Sequence, residues 1–177
     1  VAPSTRAVTY ATRLMNLCMA LGVNPATGRV TVVGTEATNE IRFEPNVKGK
    51  FVRVRMGSFL PATPASKSIA DLNPHLTYLD ATVPQTERDK SLGEPRAVVW
   101  KADGTRGYVA GMGSANLAIV DATGVRLATQ PVNVGQGPCG LAMDEPRGVL
   151  YVFNRFEASL SIVSLTTETE TARLPFF

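Results

Sequence analysis

The amino-acid sequence predicts an all-β fold assembled from a repeated four-stranded antiparallel unit. Shifting residues 93–120 forward by 43 positions aligns apolar and aromatic residues without a gap, among them Tyr108 with Tyr151, Leu117 with Leu160 and Ile119 with Ile162. Shifting them back by 77 positions gives a fainter copy. The apolar runs are too short for helices and are separated by turn residues. Because units of about 40–45 residues are typical of propeller blades, we predict a partial β-propeller of about three blades.

The first blade is predicted within residues 1–57, after the end of a preceding strand. The backward shift aligns Val98 with Leu21 and Val109 with Val32, and it places the third strand at residues 39–43. Apolar and basic residues alternate at 51–55. Since alternation is typical of a strand with two different faces, this segment is predicted to be the outer strand of the blade.

Residues 58–92 are predicted to be a long inter-blade insertion with a short strand at 68–72. Four prolines and several charges interrupt the blade rhythm there. Long loops on a rigid scaffold often carry recognition. We therefore expect this insertion to be the variable contact surface of the protein.

Residues 93–136 and 137–177 are predicted to be the second and third regular blades, with the outer strand of the second at 125–134. The turn Ala102-Asp103-Gly104 lies between two apolar runs, which is a strong hairpin signal. We expect Asp103, Asp121 and Asp144 to cap turns or strand ends, because an aspartate side chain accepts hydrogen bonds from the backbone that follows it.

The units resemble the YVTN family of β-propeller repeats, named after a Tyr-Val-Thr-Asn stretch on the second strand. The corresponding residues are Tyr108-Val109-Ala110-Gly111 and Tyr151-Val152-Phe153-Asn154. Propellers have roughly four to eight blades. We therefore expect the chain to be part of a longer protein, with self-association to complete a ring as the alternative.

Three further segments, at 71–76, 91–96 and 174–177, are similar to bacterial exported proteins that join a YVTN propeller to a dihaem-peroxidase-like cytochrome c domain. The resemblance implies a periplasmic or extracellular location and a protein partner or an attached cytochrome domain. The sequence has no Cys-x-x-Cys-His. We therefore expect no cofactor in this chain, and haem c only in an attached domain.

The composition is that of a globular protein, with 44% hydrophobic and 19% charged residues. A net charge of +3 is too small to imply a nucleic-acid partner. The longest nearly apolar run, residues 14–23, is too short to span a membrane. Cys18 and Cys139 fit no metal-binding motif, and the spacing leaves open whether they form a disulfide.

The candidate site residues are Met19, Arg96, Cys139 and His75. The repeat makes the first three equivalent, at first-strand positions that line the central channel of a propeller. There a thioether, a guanidinium and a thiol could contact a ligand or partner, and packing of the strand ends is the alternative. His75 is the only histidine and lies in a turn-like Asn-Pro-His-Leu, where loop packing is favoured over contact with a haem on another domain.

The leading hypothesis is a non-catalytic propeller module that acts as a scaffold for a partner. One alternative is a propeller enzyme, a lactonase or a quinone- or haem-dependent dehydrogenase, with its site at the central channel. It would need acidic or histidine ligands, which positions 19, 96 and 139 do not supply. A third hypothesis is nucleic-acid binding by a basic cluster, for which a solvated outer strand is the favoured explanation. The cluster consists of Arg42, Lys48, Lys50, Arg53 and Arg55.

Overall fold

The protein consists of three four-stranded antiparallel sheets, which confirms the predicted fold class of a partial propeller. The computed structural model describes residues 6–37, 52–78 and 82–177. The strands are β1 (Leu17–Val23), β2 (Val30–Ala37), β3 (Val52–Leu60), β4 (Thr63–Asp71), β5 (Pro95–Trp100), β6 (Arg106–Gly111), β7 (Asn116–Asp121), β8 (Val132–Asn133), β9 (Pro138–Asp144), β10 (Val149–Asn154), β11 (Ser159–Ser164) and β12 (Glu170–Pro175). Helix α1 (Gln85–Arg88) and a 3-10 turn (Glu145–Arg147) complete the described elements. Neither helical segment has the length and apolarity needed to cross a membrane.

The hydrophobic cores lie between the sheets, which we call blades 1, 2 and 3. The first strands of the blades are neighbours, with β5 between β1 and β9. Side chains alternate along β6, so Val109 joins the core shared with blade 1 while Tyr108 and Ala110 join the core shared with blade 3. Every blade therefore depends on its neighbour to bury its apolar faces.

Hydrogen bonds between the first two blades fix their relative position. The indole Nε1 of Trp100 donates to Oγ1 of Thr31 at 2.9 Å, and Nδ2 of Asn24 donates to the carbonyl of Gly104 at 2.9 Å. Gly104 has a φ of +67°, and a Cβ on it would lie 2.3 Å from Oδ1 of Asn24. This turn therefore requires glycine for both its conformation and its contact with the neighbouring blade.

The 43-residue repeat matches the strands of blades 2 and 3, because β6 and β7 are followed 43 positions later by β10 and β11. The predicted capping roles of three aspartates are also confirmed. Each carboxylate accepts a hydrogen bond from the backbone N–H group two or three residues later in the chain. The distances are 2.9 Å for Asp103, 2.8 Å for Asp121 and 3.2 Å for Asp144.

Blade 1 differs from the prediction in its third and fourth strands. The alternating segment 51–55 was predicted to be the outer strand, but β3 (Val52–Leu60) is the third strand and β4 (Thr63–Asp71) is the outer one. The predicted third strand at 39–43 lies outside the described residues. The connection between β2 and β3 is longer than its counterpart between β6 and β7, so an alignment without gaps loses register after β2.

The predicted insertion at 58–92 is wrong in extent for the same reason. Its first part contains the end of β3 and all of β4, and the connection between blades 1 and 2 begins only after Asp71. The outer strand of blade 2 is also shorter than the predicted segment 125–134, because only Val132 and Asn133 form a ladder with β7. Pro131 has no N–H to donate, and Arg126 points into the protein interior rather than along a strand face.

Candidate functional site

Met19, Arg96 and Cys139 occupy the same unusual position in their blades. In β1 the pairing with β2 passes from Cys18 directly to Ala20. In β5 it passes from Pro95 to Ala97, and in β9 from Pro138 to Gly140. Each candidate residue is therefore the extra residue of a β-bulge near the start of its innermost strand. Bulges redirect a side chain out of the ladder and are frequent beside functional sites.

The three bulges present different chemistry on one repeated backbone. Arg96 is exposed and forms an ion pair with Glu94, whose φ is +50°. Cys139 and Met19 are half-buried. Cys18 and Cys139 are both free thiols, so the disulfide that the sequence left open is not formed. Because β1, β5 and β9 are neighbours, the bulges form a row across the innermost strands.

In blades 2 and 3, polar side chains hold the segment that leads into the inner strand against the second and third strands and the turn between them. In blade 2 the N–H of Gly93 donates to Oγ of Ser114 at 2.9 Å, and Asn116 Nδ2 donates to the carbonyl of Ser91 at 3.1 Å. In blade 3 the N–H of Gly135 donates to Oγ of Ser161 at 3.1 Å. Asn154, completely buried, donates to the same oxygen at 2.7 Å. The bulges at Arg96 and Cys139 therefore follow anchored backbone.

The connection between blades 1 and 2 is a closed loop held at its neck by Asn73. Its Nδ2 donates to the carbonyl of Leu92 at 2.9 Å, and its Oδ1 accepts from the N–H of Leu92 at 2.7 Å. Leu72 and Leu92 are both buried in the core between the two blades. The neck is therefore part of the scaffold.

Arg126 fastens this loop to blade 2. Its guanidinium donates to the carbonyls of four residues at 2.7 to 3.0 Å and to Oδ1 of Asn73 at 3.3 Å. The carbonyls belong to Leu72, Lys90, Ala128 and Thr129. All five N–H groups are used in these bonds. Burial lowers the pKa of Arg126 from its ordinary value.

His75 lies inside the closed loop rather than on an innermost strand. Its Nε2 is 3.1 Å from the carbonyl of Glu87, which makes Nε2 the protonated nitrogen, and 3.2 Å from Oγ of Ser91. Nδ1 is buried and has no partner among the described residues. Burial first, and then the charges of Arg126 and Lys90, lower the pKa of His75 despite the hydrogen bond to Glu87.

A cavity of about 260 Å³ opens beside His75 and Arg126. It is lined by Pro74, His75 and residues 126–129. Since every donor of Arg126 is already paired with an oxygen, the guanidinium has no N–H group left for a bound anion. The cavity follows from the way in which the loop packs against blade 2.

The basic cluster is only partly within the described residues, because Arg42, Lys48 and Lys50 lie outside them. Arg53 and Arg55 share one face of a strand, as predicted, but that strand is the third of blade 1 and not the outer one. The guanidinium of Arg53 lies 4.5 Å from the centre of the Tyr78 ring. Arg53 is therefore engaged in a cation–π contact within the protein.

Sequence reasoning missed Asn73 and Arg126. Neither has a local signal, because their partners lie in segments up to 54 residues away. Within residues 6–37, 52–78 and 82–177, no group of three or more His, Cys, Asp or Glu side chains is arranged to hold a metal ion.

Comparison with solved structures identifies the architecture. A chain of the Kuenenia stuttgartiensis hydrazine synthase matches with a TM-score of 0.61 and 14% identity, over 84% of this chain and 45% of that chain. A chain of the nidogen/laminin complex matches with a TM-score of 0.58 and 11% identity, over 91% of this chain and 48% of that one. The fold is that of a β-propeller. At these identities the similarity shows the fold alone.

A chain of the mitotic checkpoint complex also matches this propeller, with a TM-score of 0.53 and 17% identity, over 93% of this chain and 37% of that one. This chain spans less than half the length of each of these three solved chains. No protein-family model and no curated protein sequence matches it.

Proposed function

We propose that this chain is a non-catalytic β-propeller module that holds a protein partner at the row of inner-strand bulges. The observation that carries this proposal is the presence of the same bulge in all three blades, occupied by Met19, Arg96 and Cys139. The backbone geometry is repeated while the presented side chain changes. A repeated backbone with varied side chains suits a scaffold whose surface is adapted to one partner.

Two observations support a protein as the bound partner. Two of the propeller-type neighbours are components of protein complexes, the nidogen/laminin complex and the mitotic checkpoint complex. At the bulges, Arg96 is a residue type enriched in protein interfaces, and Met19 is a flexible apolar neighbour. The three bulge positions supply no acidic or histidine side chain, which the enzyme alternative would need.

The proposal extends to a cellular context. The YVTN-like motifs and the three segments similar to exported propeller–cytochrome proteins favour a module in the periplasm or outside the cell, beside a c-type cytochrome domain. Asn154, at the last position of the YVTN-like stretch, is completely buried and donates to Ser159 and Ser161, which gives this motif position a structural role. Any haem would belong to the attached or partner domain.

Site-specific photo-crosslinking tests this function. A photoreactive amino acid replaces Arg96 in one variant and Arg147 in a control, since Arg147 is exposed on the turn at the far end of β9. Each variant is irradiated in a periplasmic extract of a bacterium that makes c-type cytochromes. We expect one discrete adduct from position 96 and none from position 147. The adduct from position 96 should also stain for haem on a denaturing gel, because c-type haem is covalently attached to its protein.

Three outcomes distinguish the levels of the proposal. A haem-staining adduct from position 96 alone supports the cytochrome context. A discrete adduct without haem supports a protein-binding propeller and contradicts the cytochrome context. Equal adducts from both positions, or none from position 96, contradict partner binding at the bulges.

A further inference from the structure

Because blades 2 and 3 are copies of one repeat, a sheet face that is buried in blade 2 has an exposed counterpart in blade 3. The face of blade 2 that packs against blade 3 is at most 5% exposed and carries Tyr108, Ala110, Leu117 and Ile119. The residues 43 positions later are Tyr151, Phe153, Leu160 and Ile162. They form the corresponding face of blade 3, which we call the rear face. The opposite face of blade 3, with Leu150, Val152 and Val163, is completely buried against blade 2.

The rear face is apolar and open to solvent. Phe153 is 40% exposed and stacks on Phe176, with ring centres 6.0 Å apart. Leu174 pairs with Leu160 across the sheet and is 49% exposed. Since the corresponding face of blade 2 packs against blade 3, this surface is of the type that packs against a further four-stranded sheet.

The other end of the molecule presents the corresponding face of blade 1. The chain's own Leu14 covers its middle, because a Cβ on Gly57 would lie 3.0 Å from Leu14 and the neighbouring Val32 is only 8% exposed. Arg53 and Arg55 also lie on this face, since they alternate with residues that face the core.

Val98 and Trp100 of β5 pack into the core between blades 1 and 2. Their counterparts 77 positions earlier are Leu21 and Val23, which are 69% and 53% exposed on the outward face of blade 1. Ile69, on the same side of this sheet, is 40% exposed. We call this surface the front face. Blades 2 and 3 bury the same type of face against the blade before them.

We propose that two copies of the 177-residue chain, produced by itself, associate to form a closed ring, with the rear face of each copy on the front face of the other. One chain carries both faces that a blade contact requires, and the repeat relates them to the two contacts already present inside the molecule. Two identical contacts related by a two-fold axis leave no face open. Three blades from each copy give six, within the range of roughly four to eight that propellers have.

The internal contacts indicate which residues meet across the new interface. Ala110 and Leu141 belong to one cluster between blades 2 and 3, and Val33 and Val98 to one cluster between blades 1 and 2. The same two repeat positions at the ends of the molecule are Phe153 and Leu21. Phe153 of one copy is therefore expected to lie beside Leu21 of the other.

Sedimentation equilibrium on the purified 177-residue chain tests this association. We expect a mass of two chains for the wild type, and of one chain for both Phe153→Glu and Leu21→Lys, because each places a charge in both contacts. Val125→Glu is the matched control, since Val125 is also exposed but lies in the turn after β7. It should retain the mass of two chains. Circular dichroism and thermal unfolding of each variant verify that it folds.

Charge pairing tests the predicted neighbours. A chain with both Phe153→Glu and Leu21→Lys places opposite charges together at each contact and should regain the mass of two chains. An equimolar mixture of the two single variants should also recover it, because such a pair has one unchanged contact and one charge-paired contact. A wild type with the mass of one chain contradicts association, and its rear face then receives another partner. A mass that keeps growing with concentration contradicts ring closure.

Discussion

Two alanines in equivalent turns, Ala115 and Ala158, adopt the left-handed backbone conformation, with φ of +52° and +50°. This conformation costs a residue with a Cβ about 1–2 kcal/mol, while the extra freedom of unfolded glycine costs about 0.5–1 kcal/mol. We therefore expect Ala115→Gly and Ala158→Gly each to raise the free energy of unfolding by about 0.5–1 kcal/mol. Urea denaturation measures this change.

The matched control for these turns is Ala142, which is exposed in the middle of β9. Ala142→Gly should lower the free energy of unfolding by about 0.5–1 kcal/mol, because a strand residue gains nothing from glycine. If Ala115→Gly destabilised the protein as Ala142→Gly does, the strain assigned to the turn would be wrong.

Arg126 shows how one side chain can organise several segments. Lysine keeps the charge but has only three donors on one nitrogen, so it cannot reach the carbonyls that the guanidinium holds on two sides. We expect Arg126→Lys to lower the free energy of unfolding by about 1–3 kcal/mol, the range for leaving a buried polar group unpaired. Arg147→Lys, at an arginine that is 75% exposed, should change it by less than about 0.5 kcal/mol. Equal effects of the two variants would contradict the role of Arg126 in fastening the loop to blade 2.

At the scale of elements, the closed loop between blades 1 and 2 makes stability depend on pH through His75. Its folded-state pKa lies below the ordinary value of 6.5, so unfolded chains bind the proton first as the pH falls. Stability is therefore greatest above about pH 7 and declines as the pH drops through 6.5 towards the folded-state pKa. The charges that face this histidine are Arg126, Lys90 and Glu87.

Chemical denaturation between pH 7.5 and 5.5, on the order of one unit either side of the free histidine pKa, measures this contribution. His75→Gln keeps a donor for the carbonyl of Glu87 but does not titrate, so its stability should vary less with pH than that of the wild type. A wild type and a His75→Gln variant with the same pH profile would show that another group controls the dependence.

The elements that the sequence predicts well are those whose signals are local. The turn at Gly104 and the equivalence of Tyr108 with Tyr151 follow from short patterns, and the structure confirms both. The third and fourth strands of blade 1 were misplaced because the length of a connection leaves no mark on an alignment without gaps. The bulges at Met19, Arg96 and Cys139 were located as equivalent positions, but their geometry depends on pairing with a second strand.

At the scale of the whole molecule, stability comes from contacts between neighbouring sheets. Blade 2 supplies one face to each core, with Val109 and Val120 towards blade 1 and Tyr108 and Ile119 towards blade 3. Each blade contacts its neighbour in the chain, as in other repeat proteins. A substitution on one face of blade 2 therefore changes the stability of only one of its two contacts with neighbouring blades.

Tyr108 allows this contact to be tested, because it is completely buried between blades 2 and 3 while its hydroxyl has no hydrogen-bond partner among the described residues. Burial, together with the charge of Glu168, raises the pKa of Tyr108 to about 12. An unpaired buried hydroxyl costs about 1–3 kcal/mol. We therefore expect Tyr108→Phe to raise the free energy of unfolding by about 1 kcal/mol, measured by urea denaturation.

Tyr78 is the matched control for this whole-molecule prediction, because its hydroxyl donates to Oδ1 of Asp71 at 2.9 Å within blade 1 and its connection. Tyr78→Phe loses that bond and should lower the free energy of unfolding by about 1 kcal/mol. Both substitutions remove only the phenolic oxygen. Opposite changes in the free energy of unfolding would therefore separate the effect of a missing hydrogen-bond partner from the effect of the hydroxyl itself. A loss of stability in both variants would mean that the Tyr108 hydroxyl contributes a favourable interaction at the contact between blades 2 and 3.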